Sequence, residues 1–293
     1  MNYRTKYFLV LLIVMWPVLS LFIYLIDDLI TKGNLTGQTG SMRVLITAAV
    51  GLLLAFLSVL YSFIFNPITK AQVNIFTELE NTGLSDSFIN IAEAEVNRLI
   101  GTGKLYKFYR PFVQYTCLIA NAYTNKGDIP TAMDKINAVT LSDMQTYLKN
   151  PEDNRLFLSY FDMQMDICEK INDAGRAENV MSIAAPYLEK CENSTITDKL
   201  LGYETFCLYH MTRNDIDKAL EYANRCFSLG STESITFVGY GLKSKCYIRA
   251  KQFDKALEAI NKAGSISQKG MYKQIAATMR SNYDKALAAA ANS

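Results

Sequence analysis

One short phrase recurs along this chain. Asp-Lys-Ala-Leu stands at Asp217–Leu220, at Asp254–Leu257 and at Asp284–Leu287, each time after a polar stretch of turn character. Aligning the turn-plus-helix segments on their alanines gives Ala132 in GDIPTAMDKI, Ala177 in AGRAENVMSI, Ala219 in NDIDKALEYA, Ala256 in QFDKALEAI and Ala286 in NYDKALAAA. The spacings of 45, 42, 37 and 30 residues drift around the length of a two-helix unit. Segments such as FVQYTCLIANAY, LFLSYFDMQMDIC, YETFCLYHM and YGLKSKCYIRA precede the turns, with aromatic and apolar residues at helical spacing. One such hairpin cannot bury its apolar face alone, so the recurrence predicts a stack in which neighbours cover each other. The expected fold is all-α: an α-solenoid of helix-turn-helix repeats, with the alanine-rich tail as a cap.

The pattern resembles the tetratricopeptide repeat family, in which a small residue stands twelve positions before the conserved alanine and an aromatic nine before it. Here these places read Ala120 and Tyr123, Met165 and Cys168, Cys207 and His210, and Ser244 and Tyr247. The Ala132 and Ala256 units match well and the other two look like degenerate relatives. The resemblance covers roughly residues 112–290. The insertion NAVTLSDMQTYLKNPEDNR separates the first two units.

Residues 1–70 read differently. Tyr7 to Ile26 and Val44 to Phe65 carry no charge, and each run has about the twenty residues a helix needs to cross a bilayer. No small-x-small cleavage site precedes Asp27, so a membrane hairpin over residues 1–70, with spans at about 7–26 and 44–65, is expected rather than a signal peptide. Arg4 and Lys6 precede the first run and Lys70 follows the second, a bias that places both termini in the cytoplasm, as in a bacterial plasma membrane. Residues 71–293 are then a cytoplasmic domain. Thr47, Gly51 and Ala55 fall at i, i+4, i+8, a small-residue face for close helix contact, either within the hairpin or in a homo-oligomer. In GKLYKFYRPF, Lys104, Lys107 and Arg110 interleave with Tyr109 and other aromatics, a mixture suited to anionic headgroups beside the bilayer.

Catalytic material is sparse. His210 is the single histidine, and it occupies an aromatic core position of its unit. The six cysteines form no C-x-x-C and sit among apolar neighbours, as reduced core thiols do. Beyond residue 70 there are 25 Lys and Arg against 26 Asp and Glu, without the basic excess of a nucleic-acid-binding domain. Neither an enzyme nor a cofactor or metal site is expected.

What the family resemblance implies instead is a concave groove, lined by the residues 18, 15, 11 and 7 before each alanine. For the Ala132 unit these are Gln114, Cys117, Asn121 and Asn125, and for the Ala177 unit Ser159, Asp162, Asp166 and Lys170. The Ala219 unit gives Leu201, Glu204, Leu208 and Thr212, and the Ala256 unit Val238, Gly241, Lys245 and Arg249. Such a groove is asparagine-bearing and acidic at one end and basic at the other, and suits a peptide with separated charges. The expected function is that of a membrane-anchored adaptor or scaffold that binds a protein or peptide partner. The alternative is an accessory subunit of a membrane transport, secretion or envelope-assembly complex.

Overall fold

The computed structural model describes residues 56–57, 71–101, 106–150, 153–266 and 270–291. Both expected membrane spans, apart from residues 56–57, lie outside them, as do Thr47, Gly51 and Ala55. Among the described residues no helix is long and apolar enough to cross a membrane. Residues Ile75–Ser293 form one compact unit.

The described residues contain helices and no strand. In chain order the helices are α1 (residues 71–82), α2 (Asp86–Gly101), α3 (Tyr106–Lys126), α4 (Ile129–Asn137), α5 (Leu141–Tyr147) and α6 (Asn154–Ile171). They continue as α7 (Ala174–Leu188), α8 (Ile196–Thr212), α9 (Ile216–Ser228), α10 (Glu233–Arg249), α11 (Phe253–Ile266) and α12 (Gly270–Ala291). The pairs α3/α4, α6/α7, α8/α9 and α10/α11 are the four hairpins that the aligned alanines predict.

Their turns are copies of one another. Gly127, Asn172, Asn214 and Lys251 each take a positive φ, between 55° and 81°, just after the first helix. The next residue then donates its N–H back into that helix: Asp128 to Tyr123 O, Asp173 to Cys168 O, Asp215 to His210 O and Gln252 to Tyr247 O, at 2.8–3.0 Å. This is the left-handed helix stop that satisfies otherwise orphaned carbonyls. In three units the same residue opens the second helix, since the carboxylates of Asp128, Asp173 and Asp215 accept from the N–H of Thr131, Arg176 and Lys218.

The aligned alanines Ala132, Ala177, Ala219 and Ala256 are wholly buried. So are Ala120, Met165 and Cys207 opposite the first three, while Ser244 is 1 % exposed. Small side chains at most of these places let the paired helices approach closely. A continuous core runs from Val113 through Phe161, Met165 and Leu208 to Cys246, while a second cluster joins α1 and α2 to α3 through Ile75, Phe88 and Ile119. The insertion between the first two hairpins folds as α5, capped by Thr140 and anchored by the buried Met144.

The last Asp-Lys-Ala-Leu departs from the expectation. Residues 284–287 do not begin a helix but lie in the second half of α12, which runs unbroken for 22 residues. No residue within it takes a positive φ, so no stop precedes Asp284 and the helix passes straight through. Nor does α12 merely continue the stack. Met271 and Ile275 pack on the α1/α2 cluster, while Met279 and Tyr283 pack with Phe253 and Ile260 near the other end. At ~33 Å for 22 residues, α12 is long enough to span the inside of the arc.

Candidate functional site

The first helix of each hairpin, α3, α6, α8 and α10, contributes to one inner face, and α12 lies over it. Between them is a cavity of about 380 Å³. Its floor carries Asn121, Thr124 and Asn125 of α3, Asp162, Asp166 and Lys170 of α6, Glu204 of α8, and Gly241 and Lys245 of α10. Its roof is the inner stripe of α12: Met271, Tyr272, Ile275, Thr278, Met279 and Asn282. Of the sixteen groove positions expected from the sequence, nine line this space, Val238 among them. Arg249 is not one of them and sits one turn beyond Lys245.

The charges at the floor are not separated into an acidic and a basic end. Lys245 Nζ lies 2.7 Å from Asp166 Oδ1, and Arg249 Nη1 lies 3.2 Å from Glu169 Oε1. Arg249 also donates to Asn172 Oδ1. The cations of α10 therefore reach across the arc to the carboxylates of α6, because the superhelix curls these two inner helices towards each other. Lys170 is exposed, with Glu169 at 3.9 Å. The two asparagines satisfy each other, Asn125 Nδ2 donating to the backbone and side-chain oxygens of Asn121 at 2.9 and 2.5 Å.

Three carboxyls line the floor with Lys245, and only Asp166 pairs with it. Asp162 accepts a hydrogen bond from Thr205 Oγ1 at 3.2 Å, and among the described residues neither Asp162 nor Glu204 makes an ion pair. Burial, then the charges of Glu204 and Asp166, push Asp162 well above the usual carboxylate range against the pull of Lys245. Burial also drives Glu204 up to about 7, with Lys245 opposing and Asp166 adding to the rise. For Asp166, burial acts upwards, but Lys245 and Lys170 outweigh it and hold the carboxyl below its ordinary value. Burial would lower Lys245, yet Asp166, Glu169 and Glu204 together hold it above its ordinary value. The floor thus sets three carboxyls against the ammoniums of Lys245 and Lys170. It can grip a charged or polar guest side chain, and it holds no nucleophile activated by a base.

The remaining predicted residues fall elsewhere. His210 lies outside the cavity, stacked on Tyr222 with its Nδ1 3.6 Å from Asp215. Burial lowers its pKa against the pull of Asp215, which suits a neutral packed ring. Tyr109 requires a correction. It was expected beside the bilayer, yet it is 6 % exposed and packs on Phe112 and Tyr147, so its ring belongs to the core. Arg110, next to it, is half-exposed with Nε 3.5 Å from Asp153. Lys104 and the side chain of Lys107 lie outside the described residues. Cys117, expected in the groove, is buried, and all six cysteines are buried free thiols, with Cys207 and Cys246 Sγ atoms 3.7 Å apart.

Sequence reasoning missed the roof. The signal was present in Met271, Ile275 and Met279 at i, i+4, i+8, an apolar stripe with no hairpin partner of its own. It also missed Glu169, which lies one turn from Asp166 and is needed to hold Arg249. Comparison with protein-family models, with curated proteins and with solved structures gives no match to this chain.

Proposed function

We propose that this chain is a membrane-anchored adaptor with a tetratricopeptide-like helical domain, whose inner groove holds a helical segment of a protein partner. One observation carries the reading: the groove already holds a helix. The floor residues come from four successive hairpins, and α12 lies across them, engaging with the apolar stripe that any amphipathic helix could supply. The role is one of binding rather than catalysis, since the floor offers charges and amides in place of a reactive group.

The membrane anchor rests on the two uncharged runs before residue 66, and the tetratricopeptide likeness on the repeated turn and the buried small residues. Both termini lie in the cytoplasm in this reading. A photo-crosslinking side chain placed at Asn125 or Lys170 in native membranes tests it. One recurrent partner, crosslinked through a helical segment, is the expected result. Crosslinks found only from positions near Lys70, Lys104 and Lys107 would instead place the contact beside the bilayer, as the accessory-subunit alternative requires.

A further inference from the structure

The geometry points to a specific partner chemistry for this groove: an amphipathic helix with a lysine or arginine at its centre, which displaces α12, a weaker resident occupant. The inference rests on the groove reading above.

The first observation is how lightly α12 is held. Of its 22 residues only Tyr283 is buried, whereas α6 buries nine of eighteen and α10 seven of seventeen. Elements with so few buried anchors open at a small fraction of the global unfolding free energy. Its contacts are also of a replaceable kind. Met279 rests against Gly241, where an added Cβ would stand 2.7 Å from the flexible Met279 methyl, and Tyr272 packs at a tilt on Phe237 with ring centroids 4.6 Å apart.

The second observation is what α12 leaves undone. A cavity of about 380 Å³ stays open beneath it, so α12 does not fill the groove it covers. Its side chains lining that cavity are apolar except for Thr278, Asn282 and the hydroxyl of Tyr272, and none is a cation. Its own cations lie outside that lining: Lys273 and Lys285 are exposed, and Arg280 pairs with Asp284 at 3.2 Å and lies over Tyr283. Below, Lys245 is taken by Asp166, and Lys170 is exposed with Glu169 nearest it, whereas among the described residues Asp162 and Glu204 make no ion pair. Two carboxyls without an ion pair and unfilled volume thus lie at the same place. A long basic side chain reaching down from the middle of a helix would occupy the volume and pair with them. Thr278 stands at the middle of the inner stripe, one turn from both Ile275 and Asn282, and marks where that side chain would enter.

The test uses fluorescent peptides with the sequence of Gly270–Ala291, one native and one with Thr278→Lys. They are titrated against the full chain in lipid nanodiscs, with Met279→Ala and Tyr283→Ala introduced to loosen the resident helix. Hydrogen exchange over residues 270–291 reports the loosening, and truncation before Gly270 replaces the two alanines if α12 stays protected. The Thr278→Lys peptide should bind about tenfold more tightly than the native one, as one well-placed charged contact allows. Asp162→Asn with Glu204→Gln in the receptor should abolish that advantage. Equal affinity of the two peptides would overturn the basic-helix inference and leave the groove reading standing. Failure of both peptides to bind an opened groove would overturn the inference and the groove reading together.

Discussion

Lys245 and Asp166 lie 79 positions apart in the chain and 2.7 Å apart in the fold. Their contact joins α10 to α6 over the head of the intervening hairpin, so it reports the curvature of the whole arc. Lys245 keeps 28 % of its side-chain exposure and Asp166 15 %, a pair shielded from solvent but not sealed.

Removing the ammonium should cost more than the pair is worth, because three carboxylates then face one another. Lys245→Met is expected to destabilise the chain by about 1–3 kcal/mol, below the range for a fully buried pair broken on one side. Adding Asp162→Asn and Glu204→Gln to Lys245→Met should recover most of it. Urea unfolding of the three chains checks this, and the idea fails if the added substitutions only make matters worse.

Glu204 gives the site a pH dependence of definite sign. Its carboxyl holds a proton more tightly in the folded chain, with a pKa of about 7 against an ordinary 4.5. Its favourable contribution is thus complete below about 4.5 and lost as the pH rises through 7. Glu204→Gln should raise the unfolding temperature at pH 8 by ~2–4 °C, equivalent to about 1 kcal/mol at this chain length. At pH 5 it should change little. A gain of the same size at both values would show that the carboxyl is not strained.

Lys251 is the odd member of the four turn positions. It takes φ 56° where the first hairpin has Gly127, and left-handed backbone is unfavourable for a side chain without local hydrogen bonding. Lys251→Gly is therefore expected to stabilise by about 0.5–1 kcal/mol. Gly127→Lys should destabilise by a similar amount. Thermal scans of the two variants would show opposite signs, and like signs would contradict the equivalence of the turns.

The docking of α12 should respond unequally at two of its glycine contacts. At Gly270 an added Cβ would lie 2.3 Å from the backbone oxygen of Asn81, which cannot step aside. At Gly241 the obstacle is only the end of Met279. Gly270→Ala should release α12 at its start and speed amide exchange across it, whereas Gly241→Ala should leave exchange nearly unchanged. Equal effects would mean that α12 is held elsewhere.

Ala219 and Ala256 are fully buried. Leucine at either place should destabilise by about 1–3 kcal/mol through overpacking. The same change at Ala286, which is half-buried on α12, should cost far less, because that alanine meets no hairpin partner. Chemical denaturation of the three variants would distinguish a repeat position from a copy of its letters.

That contrast marks where reading the chain directly succeeds. Each hairpin is written locally: the aspartates at 128, 173 and 215, the alanine four residues on, and the small or apolar residue twelve before it all act within about twenty residues. Once the repeat is in register, the inward positions follow from helical periodicity, which is why Asn121, Asn125, Asp162, Asp166, Lys170, Glu204 and Lys245 could be placed on one face before any coordinates. What the chain does not write locally is the angle by which each hairpin turns on the next. Only that accumulated curvature brings Lys245 to Asp166 and Arg249 to Glu169, turning an expected separation of charge into paired charge. It also gives α12 an interior to cross. The letters of residues 284–287 match two true helix starts, yet with no turn before them and two distant apolar clusters to join, the packing made one continuous helix. The sequence by itself determined the units, because their contacts are short-range; the tertiary structure decided what fills the space between them, because those contacts are made by residues far apart in the chain.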